Sequence, residues 1–132
     1  MGITAIYAGL LAVFFIILSV RVIGVRQSAR VAVGDEGNLA LRRRIRAHGN
    51  FAEYVPMAIV LMGLAEGLFA PPLLLHAMGV ALVAGRLLHA TGISRVDEKL
   101  WLRITGMTLT FAVLATGAFT CLVLGLPVFG KV

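Results

Sequence analysis

Polar residues in this chain gather between four long apolar runs, each about as long as a membrane-crossing helix. Such a helix needs about 20 consecutive, mostly apolar residues. The first run is "ITAIYAGLLAVFFIILSVRVI", Ile3 to Ile23. The others cover about 51–69, 73–93 and 104–126. Between the second and third runs, "FAPPLL" has two prolines and no charge, and reads as a tight turn. Between the third and fourth, "SRVDEKLWLR" is densely charged. The pattern predicts an all-α fold, an integral membrane four-helix bundle forming a single domain over residues 1–132.

The first connection is not all loop. "GDEGN" at 34–38 is a turn followed by a helix start. Asp35, Glu36 and Asn38 suit the amino end of a helix, where unpaired N–H groups favour acceptors. From Leu39 onward nothing breaks a helix until Pro56, and a proline can kink a membrane helix without ending it. Helix two is therefore predicted to start near Asn38 and run to about Glu66. At this length it reaches roughly 40 Å, more than the ~30 Å hydrocarbon core. The excess, carrying arginines, projects beyond the bilayer.

Composition excludes a water-soluble domain: 60% of residues are hydrophobic, 14% are charged and the mean hydropathy is +0.99. The net charge is +6, and arginines 21, 26, 30, 42, 43, 44 and 46 sit in one region. Under the positive-inside rule that region faces the cytoplasm. Loops 24–50 and 94–103 are then cytoplasmic, both termini are outside, and the tail with Lys131 ends outside. The first run has no basic segment before it and no small-x-small cleavage site, so it reads as a retained helix. A bacterial inner membrane is the expected setting. No aromatic RNA motif or zinc pattern accompanies the basic residues, so nucleic acid and metal are not expected partners. Cys121 is the single cysteine, sits in an apolar run, and reads as a packed thiol.

The segment "RRRIRAHGNFAEYVP" carries polar groups into the second span. Arg46, Asn50 and Glu53 follow an i, i+4, i+7 spacing on one helical face, with Tyr54 beside it. An ionised carboxylate at membrane depth needs a partner or a watery cavity. Arg86 on helix three, in "GRLLHATG" with His89 at i+3, is the expected partner of Glu53. Arg103 starts helix four on the same side. Arg42 to Arg44 read as headgroup anchors, and His76 and Glu66 as interfacial groups. Gly63 and Gly67 form a GxxxG pair suited to close helix packing.

"RAHGNFAEYVP" is similar to the helix-two signature of the membrane-associated proteins in eicosanoid and glutathione metabolism, the MAPEG family. It has that family's Arg, the Asn four residues on, the Glu three further, then Tyr-x-Pro. "GRLLHATG" resembles the family's helix-three segment. The resemblance covers nearly the whole chain and suggests a bacterial-type member. It implies a homotrimer that binds glutathione between neighbouring subunits near the cytoplasmic face. Lipophilic substrates would arrive through the lipid. By this resemblance Arg46, Asn50, Glu53, Tyr54, Arg86 and His89 are glutathione-binding positions. Arg26 corresponds to an arginine after helix one, and Arg103 to the arginine proposed to stabilise the thiolate. The chain departs from the family's synthases at three places. Ile93 and Met107 stand where tyrosines occur, and Gly49 where a further arginine occurs.

Three functions compete on these residues. The first is a glutathione transferase or peroxidase acting on lipophilic electrophiles. The second is a non-catalytic protein of the same fold, structural or binding lipid or a protein partner. The third is a small proton-coupled transporter. It fits less well, because Glu53 lies near the cytoplasmic end of the second apolar run and not at mid-membrane in helix one, and its arginine neighbours repel cationic drugs.

Overall fold

A computed structural model describes residues 1–95 and 97–129; the Lys131 tail lies outside the described residues. Four helices follow one another: α1 Gly2–Ala29, α2 Leu39–Gly67, α3 Pro72–Ser94 and α4 Leu100–Phe129. No strand occurs among the described residues. Three helices, α1, α3 and α4, are long and apolar enough to cross a membrane. The arginines, Asn50 and Glu53 keep α2 out of that set. At 29 residues α2 still extends about 43 Å.

The helix boundaries follow local chemistry. Asn38 caps α2, its Oδ1 accepting from Leu41 N at 3.0 Å. Pro56 lies inside α2 and the helix continues through it. Helix α1 runs six residues past the apolar run and ends at Arg30 in the left-handed conformation, φ 56°. Val31 N there donates to Arg26 O at 3.0 Å and Arg30 N to Gln27 O at 3.3 Å. The α2–α3 turn closes the same way: Ala70 N donates to Ala65 O and Phe69 N to Glu66 O. Paired bonds of this kind satisfy carbonyls that a helix end leaves open. Pro71 and Pro72 then start α3, where a proline needs no N–H donor.

The core is built from Leu11 and Leu18 of α1, Phe51, Val55, Ala58 and Met62 of α2, Met78 and Leu82 of α3, and Val113 of α4. Two polar contacts lock the end remote from the arginines. The Glu66 carboxylate accepts from Ile3 N at 3.0 Å and Thr4 N at 2.9 Å. It thereby serves as the anionic cap of α1, a role stronger than the interfacial one expected for it. Tyr7 Oη and His76 Nδ1 are 3.0 Å apart and join α1 to α3.

The closest helix approach is not at Gly63 and Gly67, where an added Cβ would meet only side chains, at 3.9 and 3.6 Å. It lies between α3 and α4. A Cβ on Gly106 would sit 2.5 Å from Gly85 O and 2.6 Å from His89 N. A Cβ on Gly92 would lie 2.9 Å from Arg103 N. The backbones of α3 and α4 therefore touch where side chains are missing, which brings Arg86 against the backbone of α4.

Candidate functional site

Arg86 is buried, 1% exposed, on the face of α3 turned toward α2 and α4. Its Nη1 donates to Asn50 Oδ1 at 2.9 Å. Its Nη2 donates to Gly106 O at 3.3 Å and approaches Met107 Sδ at 3.4 Å. Its Nε is buried with no acceptor among the described residues. The partner of Arg86 is thus Asn50 and not Glu53, which corrects the expected pairing. Asn50 reaches inward because α3 passes on its side of α2. Glu53, three positions on, turns to the outer surface and forms no ion pair among the described residues.

Arg46 is likewise exposed and without an ion pair among the described residues. It lines a cavity of about 210 Å³ with Leu39, Arg42, Arg43, Ile93, Glu98 and Arg103. Arg103 is not free in this cavity. Its Nη1 donates to Glu98 Oε1 at 2.9 Å, and Arg43 Nη1 donates to Glu98 Oε2 at 3.1 Å. These bonds hold the Glu98 carboxyl below its ordinary range, Arg103 contributing most and Arg43 next. Glu98 is a member of this constellation that residue patterns did not single out, and Arg43, expected as a headgroup anchor, is tied to it instead. The available signal was a lone glutamate in a basic loop facing an arginine run.

The remaining candidates divide between core and loop. His89 is 3% exposed, packs at the α3–α4 crossing, and makes no side-chain hydrogen bond among the described residues. Tyr54 is half-buried, edge-on to Phe111 at 5.5 Å between ring centroids. Arg26 is committed to the first loop, its Nη1 donating to Gly34 O at 2.9 Å. No hydrogen bond joins it to the α2 stripe among the described residues. In the same loop Arg42 Nε and Nη2 clasp the Asp35 carboxylate at 2.7 and 3.1 Å. That fork, with the Gly37 N–H, pulls the Asp35 carboxyl down to about 2.

Two of the three departing positions, Ile93 and Met107, make contacts here. Ile93 walls the arginine cavity, and Met107 gives Arg86 a soft acceptor. An apolar groove of about 430 Å³ along α4, from Leu100 to Phe111, has Arg103 at one end. Cys121 Sγ lies 3.4 Å from Leu61 O in the helix packing. No cluster of His, Cys, Asp or Glu among the described residues is placed to hold a metal.

Four helices in sequence, apolar outside, with arginines gathered toward one end, define a class: an all-α integral membrane bundle. The chain belongs to the MAPEG family, whose model matches residues 4–123. It is 40% identical over 112 residues to the inner membrane protein YecN of Escherichia coli strain K12, an alignment covering 85% of this chain and 84% of that relative. The same figures hold for the inner membrane protein YecN of Escherichia coli O6:H1 strain CFT073. The protein is an integral inner-membrane protein.

Proposed function

We propose that the protein binds glutathione at the arginine-rich, cytoplasmic end of the bundle, between subunits of a homotrimer. It would present the thiol to lipophilic electrophiles that arrive through the membrane. The observation that carries this reading is that Arg46 and Glu53 face outward, both without an ion pair among the described residues, from the same helix whose Asn50 is tied inward to Arg86. Charged side chains exposed at the edge of an apolar bundle are costly against lipid. A neighbouring subunit and a zwitterionic ligand would each lower that cost.

The residues fit the ligand's chemistry. Arg46 offers a guanidinium fork for a carboxylate, and Glu53 an acceptor for the ammonium group. Arg103, a guanidinium on the same cavity, would supply the cation that lowers a thiol's pKa. When bound, glutathione supplies the nucleophilic sulfur. The α4 groove ending at Arg103 gives an apolar approach for the second substrate. Asn50 and Arg86 hold α2 and α3 in register behind the site.

Glutathione titration of the purified protein tests the proposal. Arg46→Ala and Glu53→Gln should each weaken binding about tenfold or more, the loss of a charge-assisted hydrogen bond. Conjugation of an aryl halide should fall with Arg103→Ala. Binding indifferent to Arg46 and Glu53 would sink the reading.

The internal Asn50–Arg86 bond and the Glu98 bridge favour one other reading, a non-catalytic bundle whose polar groups serve its own packing. In that case wild type shows no turnover, and Asn50 or Arg86 variants lose assembly.

A further inference from the structure

The cavity at the arginine-rich end already contains an anion supplied by the chain. Arg43 comes from α2 and Arg103 from α4, and Glu98, in the loop before α4, joins them with one carboxylate oxygen each. Of the four guanidiniums on the cavity, Arg42 is turned to Asp35, Arg43 and Arg103 share Glu98, and Arg46 has no ion pair among the described residues. The three arginines not held by Asp35 therefore face a single carboxylate. Arg43 Nε is buried without an acceptor among the described residues. The Glu98 side chain is 26% exposed and that of Arg103 45%, so both are open to exchange.

We infer that Glu98 is an internal competitor for the ligand: it occupies Arg103 and Arg43 in the ligand-free protein, and an incoming thiolate or carboxylate binds there by displacing it. The inference rests on reading this end as an anion site with glutathione as its ligand. Partly exposed ion pairs hold weakly. The bridge can therefore set a resting position for Arg103 and still be exchanged. Displacement also sets a common threshold, since every anion must give up the same bridge before it binds. A simple anion that replaces Glu98 trades one charge-assisted bond for another and gains little. A ligand with a second charged group within reach of Arg46 or Glu53 keeps the gain. Glu98 thus lowers the affinity of the site for every anion by the same factor, so that only a ligand with further contacts binds well.

Sulfate and glutathione, titrated separately into the full chain in detergent, are the probes. Glu98→Gln should bind both about three- to tenfold more tightly than wild type, the scale of one weak ion pair. Glu98→Asp, one methylene too short to span both arginines, should fall between. Adding Arg103→Ala to Glu98→Gln should cancel the gain. A purely structural bridge would instead lose affinity along with thermal stability in both variants. Unchanged or weaker sulfate binding in Glu98→Gln and Glu98→Asp overturns the inference. If sulfate follows the expected order while glutathione never binds, the role of Glu98 stands and the glutathione reading fails. If glutathione binding needs Arg46 and Glu53 but ignores Glu98, the reverse holds. No anion bound by any form overturns both.

Discussion

A guanidinium 1% exposed inside an apolar bundle persists only where acceptors meet it. Arg86 finds an amide oxygen, a helix carbonyl and a thioether, and no carboxylate among the described residues. Each partner therefore matters more than a surface contact does. Removing one partner of a buried pair leaves the other unsatisfied, at about 1–3 kcal/mol. Asn50→Ala should lower the melting temperature in detergent accordingly, and Asn50→Asp should not. A wild-type melt for Asn50→Ala would show that the bond contributes nothing. Arg46 and Glu53 are the contrasting case. Both are exposed on the single chain, so Arg46→Ala and Glu53→Gln should shift its stability by no more than about 0.5 kcal/mol. Their effect belongs in glutathione titrations, and a large stability loss without a binding change would place them in the packing.

Between elements, the α3–α4 crossing is the tightest joint. Gly106→Ala would drive a Cβ into Gly85 O and His89 N, backbone atoms that cannot turn aside. The helices must separate, at about 1–3 kcal/mol, and the Arg86–Gly106 bond lengthens with them. Gly63→Ala meets only Thr4 Cγ2 at 3.9 Å and should be neutral or stabilising by up to about 1 kcal/mol. Parallel thermal melts decide between the two sites. The α1–α2 connection has its own lock, the Arg42–Asp35 fork. The Asp35 carboxyl is depressed to about 2 from its ordinary 3.8. Its contribution is therefore fully present above about pH 4 and lost as pH falls through 2. A spin label at Val33, 82% exposed, should gain mobility over that interval. Asp35→Asn should remove the pH response.

At the scale of the molecule, the outer surface is apolar along most of its length. Ile6, Leu10, Val13 and Ile17 of α1 and Phe119, Leu122 and Val123 of α4 are all exposed. Lipid covers such faces without cost. The exposed charges of α2 are the exception, and a subunit boundary would account for them. Native mass spectrometry in mild detergent is expected to give three copies, with glutathione adducts lost in Arg46→Ala. A monomer that still binds glutathione would refute the intersubunit placement.

Much of this was written in the chain itself. Hydropathy and length specify four helices, because burying backbone polar groups in lipid leaves little alternative to helix. Asn38 marks the start of α2, because a capping side chain acts on its own next residues. The Arg46–Asn50–Glu53 spacing is legible too, but the packing splits it: Asn50 is tied inward to Arg86, while Arg46 and Glu53 are exposed. Partners across helices were not legible. Asn50, not Glu53, meets Arg86, since the choice depends on how α3 crosses α2. Gly85 and Gly106, not Gly63 and Gly67, mark the closest approach, since every glycine reads alike until its neighbour is known. Glu66 caps α1 and Glu98 bridges Arg43 and Arg103 through contacts distant in sequence. Periodicity orients a side chain about its own axis; only the packing of four helices decides which groups face each other across the gap.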